Sequence, residues 1–248
     1  MTETASESRP GRLPAHRVTV TGIEFLTPNM RRITFQGDTL ATVSVPLPAQ
    51  WLKVVLPVPE EKGRANRAYT IRHFYPGWRT MDIDFVLHGD RGPASAWARC
   101  AMVGDVVHLG NPRGGHRMEP DARWRLLAGD ETALPAIASI LDALPIDGIP
   151  TWVVIEVPSM DDAQPLRRSE TTEVHWIARD GNHGPPGCLL EDRISSLSLS
   201  GEEGQVFLAG EAAAVKKIRR GLGRRVPQAI MDAKGYWLQG QADHRDKS

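Results

Sequence analysis

The 248-residue chain is 41% hydrophobic and 24% charged, the make-up of an ordinary globular protein with enough residues for one large core or two smaller ones. Thirty lysines and arginines balance thirty aspartates and glutamates, so no overall field draws the chain to nucleic acid or to an anionic membrane. Met1 to Pro10 lacks the basic-then-apolar order of a signal peptide, and no apolar run approaches the ~18–20 residues that cross a bilayer, so a cytoplasmic location is expected.

In chain order, residues 1–15 carry no periodic pattern and are expected to be disordered. Short apolar/polar alternations follow at 17–25, 30–35, 51–56, 67–72, 81–87 and 105–109, separated by Gly, Pro and Asn. Period-two alternation at that spacing predicts an antiparallel β-barrel or sandwich. Within it, 93–102 is Ala-rich with Pro93 at its start and reads as a short helix. The polar stretch 114–123 reads as a hinge or linker. Beyond it the texture changes to continuous apolar strands, each followed by a helical pattern: 124–128 then 133–144, 151–157, 173–178 then 189–197, and 205–209 then 212–222. That alternation predicts a parallel sheet covered by helices. The expected division is therefore a barrel domain over 16–120 and an α/β domain over 121–248, with no internal repeat and a monomer as the default state.

Cys100 and Cys188 have no CxxC context and are too few for an iron–sulfur cluster held by four thiolates, so each is expected to be a small buried side chain. Eight histidines lie without the i, i+4 spacing of a helical metal site. Three segments carry the chemistry. Arg67, Tyr69, Thr70 and Arg72 combine an aromatic ring, a hydroxyl and two guanidiniums on one predicted strand, which suits stacking and phosphate binding, although an ordinary surface strand has the same look. His88, Gly92, Pro93, Ala94 and Ser95 form a turn into a helix, whose free N–H groups and dipole favour an anion, although Gly-Pro helix starts are also common for structural reasons. The turn at 110–115 brings Arg113 to the end of the barrel. The segment 128–135 lies between a strand and a helix where a dinucleotide fold binds diphosphate, yet it has no G-x-G-x-x-G, and Asp130 and Glu131 read as helix-capping and first-turn acids. The basic run 216–225 reads as a solvated helix face, with docking of an acidic electron donor or a nucleotide 2′-phosphate as alternatives.

Taken together, segments 67–72, 88–97, 111–114, 127–137, 210–215 and 235–240 resemble, in order, the motifs of siderophore-interacting proteins, a branch of the ferredoxin-reductase-like flavoproteins. The resemblance implies a two-domain fold, an N-terminal antiparallel β-barrel plus a C-terminal α/β domain, with FAD between them. It implies flavin and diphosphate contacts at Arg67, Ala68, Tyr69, Thr70 and Arg72, with Tyr69 against the isoalloxazine, and at His88, Gly92, Pro93, Ala94 and Ser95. Arg113, Asp130, Thr132 and Trp237 fall in further matching segments as cofactor contacts. NADH, NADPH or reduced ferredoxin is the implied donor and a ferric siderophore the implied acceptor, with Lys53, Lys234 and Arg245 as cations for the anionic complex. Two positions depart from the motifs: Leu238-Gln239 stand where a basic residue is usual after Trp237, and Asn111 replaces a glycine. The expected activity is FAD-dependent reduction of siderophore-bound Fe(III); a generic flavin reductase with another acceptor, and a non-catalytic ligand-binding protein, are the alternatives.

Overall fold

The computed structural model describes residues 16–56, 65–88, 92–182 and 184–241. The N-terminal tail and Arg245 lie outside them. The first half builds an eight-stranded antiparallel sheet from β1 (His16–Thr27), β2 (Met30–Gln36), β3 (Gln50–Leu56), β4 (Ala65–Thr70), β5 (His73–Tyr75), β6 (Thr80–Val86), β7 (Val106–Leu109) and β8 (Arg113–Gly114). Its order is β4-β3-β7-β1-β2-β6-β5, with β8 also paired to β3. Between β4 and β5 the chain ties the two ends of this sheet together: Ile71 N–H donates to the Gln50 carbonyl and Arg72 N–H to that of Asp82. The sheet therefore curls around one core, filled by Phe35, Phe85, Ile33, Leu52, Leu56, Met81, Ile83 and Leu109. These are the inward positions of alternating strands. Helix α1 (Pro93–Cys100) packs against β2, β3, β4 and β6.

The second half is a five-stranded parallel sheet of β9 (Trp124–Asp130), β10 (Thr151–Val157), β11 (Thr172–Ala178), β12 (Gly204–Glu211) and β13 (Ile230–Trp237), in the order β11-β10-β9-β12-β13. Every residue of β9 and β12 is buried, as expected of central strands covered on both faces. Helix α2 (Leu134–Ala143) covers the face turned to the barrel, sharing a core with Met30 and Ala49. Helices α3 (Cys188–Ser196) and α4 (Ala212–Arg225) cover the other. Because β9 is followed by β10 on one side and β12 by β13 on the other, the strand order reverses between β9 and β12. Open α/β sheets take ligands at such a switch point.

Several expectations are corrected here. The strand predicted over 67–72 ends at Thr70, because Ile71 and Arg72 are spent on the crossing between sheet ends. The polar stretch 114–123 links the two sheets but is pinned, so of hinge and linker it is the linker: Gly114 pairs with Gln50, buried His116 bonds Asp232 at 3.3 Å, and Gln205 donates to the Arg117 carbonyl at 2.6 Å. Cys100 is exposed and Cys188 half-buried, since Cys100 is the last residue of α1 and faces solvent. Strands β5, β8 and β13 have no counterpart among the predicted elements. Among the described residues, no helix is long and apolar enough to cross a membrane.

Candidate functional site

Strand β4 alternates as its sequence requires: Asn66 and Ala68 face outward, while Arg67 and Tyr69 are half-buried and Thr70 is fully so. The Tyr69 ring lies 4.3 Å from the Phe85 ring at the edge of the barrel core. Burial pushes the Tyr69 hydroxyl well above the usual tyrosine pKa, against the opposing effect of Arg67. Thr70 is hydrogen-bonded to the hydroxyl of Tyr236 on β13, so the motif strand meets the parallel sheet directly. Tyr236 is itself held protonated, by burial first, with Asp232 and Asp130 adding to it and the Thr70 bond opposing it. Arg72 turns away from this contact and pairs with Asp142 of α2 at 2.5 Å.

The start of α1 lies beside this strand. Its N-cap is Gly92, and Pro93 occupies the first turn. Before it, the His88 N–H donates to Ser95 Oγ at 3.1 Å. A Cβ on Gly92 would stand 3.0 Å from the His88 ring, so a glycine lets the chain pass His88 on the way into the helix. Ala94 and Ser95 are buried, while His88 and Pro93 are exposed. Exposed Arg113 follows β7 and lies opposite Trp51 in the β3–β8 pairing. A helix start adjoining a strand that carries a guanidinium is a common setting for a diphosphate.

The remaining predicted residues form a separate network at the carboxyl end of the parallel sheet. Asp130 accepts from Thr132 N at 2.9 Å, Thr132 Oγ1 at 2.5 Å, Glu211 N at 3.0 Å and Trp237 Nε1 at 2.8 Å. It is 5% exposed, and its pKa is pushed up to about 6, by burial first and by the Glu131 charge second. Thus Asp130, Thr132 and Trp237 are brought together, but largely to one another. Nor is the helix-capping reading correct: the N-cap of α2 is Ala133 and its first turn holds no acid. Glu131 instead pairs with Arg179 at 2.6 Å, and Arg179 also reaches Glu156 at 3.2 Å. Burial works against the Arg179 charge, but the two carboxylates outweigh it and raise its pKa.

Lys53 is half-buried on β3, opposite Ala68 of the motif strand. Lys234 is half-buried on β13 and pairs with Asp232 at 3.1 Å. Burial tends to raise the Asp232 pKa, yet its bonds to His116 and Lys234 lower it. Reading the sequence alone missed Tyr236, Arg179, Glu156 and Asp142. Only Tyr236 carried a signal there, as an aromatic residue inside a matching segment.

The architecture is a two-unit, ferredoxin-reductase-like fold, an antiparallel barrel joined to a parallel α/β sheet. Ferredoxin reductases share the fold. The model of the siderophore-interacting FAD-binding domain matches residues 19–116, and that of the siderophore-interacting protein family matches residues 122–240. The chain belongs to the siderophore-interacting protein family. The Mycobacterium tuberculosis protein Rv2895c is 33% identical over 93% of this chain and 92% of its own length. Ferric vibriobactin reductase ViuB of Vibrio cholerae is 28% identical over 88% of this chain and 87% of its own. A siderophore utilization protein from T. fusca superposes with a TM-score of 0.80 at 30% identity, covering 92% of this chain and 94% of that one.

Proposed function

We propose that the chain is an FAD-dependent ferric-siderophore reductase that passes electrons from NADH, NADPH or reduced ferredoxin to siderophore-bound Fe(III), releasing Fe(II). The observation that carries this reading is the match of the FAD-binding family model to the barrel, in which the strand of Arg67 packs beside the start of α1. FAD takes up two electrons and releases them singly, which suits a one-electron metal reduction. Fe(II) then leaves the hard oxygen ligands that favour Fe(III).

The barrel domain over 16–120 binds FAD, and the α/β domain over 121–248 closes over it. Arg67 and the N–H groups of Ala94 and Ser95 hold the diphosphate, and the backbone of Gly92 and Pro93 gives it room. Tyr69 and Thr70 line the flavin, with Ala68, His88 and Arg113 at its margin. Trp237 holds Asp130 and Thr132 in place beside it. Arg72 acts by tying the barrel to α2 through Asp142. Lys53, Lys234 and Arg245 draw in the anionic ferric complex, although Asp232 shares the charge of Lys234. No side chain has to move a proton for this reaction, so none is assigned a catalytic role. The protein works as a cytoplasmic monomer.

The test is an absorption spectrum of the purified protein supplied with FAD, then anaerobic mixing with a ferric siderophore and each donor while an Fe(II) chelator reports. A flavin spectrum with donor-dependent Fe(II) release is expected. Bound flavin without iron reduction would point to a generic flavin reductase, the reading that Leu238-Gln239 in place of a basic residue favours. No flavin binding at all would sink both.

A further inference from the structure

The carboxyl edge of the parallel sheet is the place where an open α/β fold holds the diphosphate of a nucleotide, at the switch point between β9 and β12. In this chain that place is filled from within. Carboxylates of the chain itself take N–H groups at the starts of α3 and α4 and in the turn that precedes α2. Asp130 takes the Thr132 N–H in the turn into α2, at 2.9 Å. Glu156 takes the Leu190 N–H in the first turn of α3, at 3.0 Å, and Glu211 caps α4 through the Ala214 N–H at 2.8 Å. In α2, moreover, Pro135 has no N–H to offer, and Ala136 and Ile137 both donate to the Ala133 carbonyl.

The room that glycines leave at such an edge is also taken. A Cβ on Gly129 would stand 2.3 Å from the Ala209 carbonyl oxygen and 2.5 Å from Ala133 Cβ. On Gly210 it would stand 2.6 Å from the Asp130 carboxylate itself. The charge has the wrong sign as well. Glu131 and Glu156 share the guanidinium of Arg179, and Asp130, Glu156 and Glu211 are each at most 5% exposed. An arriving dianion would add repulsion to buried carboxylates already short of countercharge.

We infer that the carboxyl edge of the parallel sheet is closed to the diphosphate of a pyridine dinucleotide, so that NADH or NADPH serves this chain through its nicotinamide ring alone. This rests on the flavin-reductase reading above. The reduced ring gives up one hydride, two electrons with one proton, to the bound flavin and leaves as the oxidised pyridinium. Neither the diphosphate nor the adenosine half contributes to its capture.

The experiment uses the FAD-loaded protein. Equilibrium dialysis against NADP⁺ at low ionic strength should show no saturable site up to about 1 mM, the upper end of ordinary KM values. In anaerobic stopped flow, flavin reduction should stay first order in NADH and in NADPH. Reduced nicotinamide mononucleotide, which lacks the diphosphate, should match both within about threefold, a difference of less than ~1 kcal/mol. Saturable NADP⁺ binding below about 1 mM, or a dinucleotide advantage above about tenfold, overturns the inference. A light-driven arm separates it from the reading on which it rests: the holoprotein is photoreduced with EDTA and mixed with a ferric siderophore and an Fe(II) chelator, with no nucleotide present. Absence of iron release there removes the reductase reading, while the dialysis result still decides whether the edge is closed.

Discussion

Replacing Arg179 by Met removes the one guanidinium that serves two carboxylates. Glu156 is 2% exposed on central strand β10, and Glu131 stands at the end of β9. Without Arg179 both lose their counter-ion, and Glu156 keeps only its bond from Leu190 N. Removing one partner of a buried pair costs about 3–5 kcal/mol, because the other charge stays desolvated. In a chain of this size that lowers Tm by roughly 6–20 °C, at about 2–4 °C per kcal/mol. Urea unfolding followed by tryptophan fluorescence, with and without excess FAD, measures the loss. Adding Glu156→Gln should return at least half of it, since a neutral amide costs less to bury. A single-variant loss below about 1 kcal/mol, or a double variant no more stable than the single one, would refute the reasoning by showing that Glu156 is hydrated.

Asp130 gives stability a pH dependence of known sign. Its native pKa, about 6, lies above the ordinary aspartate value of 3.8, so the folded chain binds more protons between about pH 4 and pH 6. Its contribution is full below pH 4 and is lost as pH rises through 6. Asp130→Asn should flatten that part of the urea-midpoint profile, while removing acceptor bonds from either Thr132 or the Glu211–Trp237 pair. Trp237→Phe deletes the indole donor, which should raise the Asp130 pKa further and cost about 1–2 kcal/mol at neutral pH by the same unfolding assay. Arg67→Ala should weaken FAD binding about 10–100-fold in a flavin-fluorescence titration, the worth of a charge-assisted hydrogen bond of roughly 1.5–3 kcal/mol. Gly204→Ala places a methyl 2.1 Å from the ring of buried Trp124 and should cost about 1–3 kcal/mol in thermal unfolding.

By itself, the sequence determined what local pattern can carry. Alternation in β1 to β4 and β6, the apolar runs of β9, β10 and β12, and Pro93 at a helix start are properties of neighbouring residues, each expressing one period or one turn. The siderophore-interacting motifs were legible for the same reason, as short stretches in a fixed order. What only the tertiary structure decided are the pairings between distant residues. Trp237 meets Asp130 across 107 positions, Arg72 meets Asp142 across 70, and Arg179 gathers Glu131 and Glu156 from two other strands. Strand β13 escaped detection because Asp232, Lys234 and Gly235 break its apolar run, and it is recognisable only through its pairing with β12. The acids at 130 and 131 look, in sequence, like helix-start acids. Their actual partners exist because a strand order that reverses between β9 and β12 brings carboxyl ends and helix starts into one buried place, where every charge and N–H must find a partner within the chain.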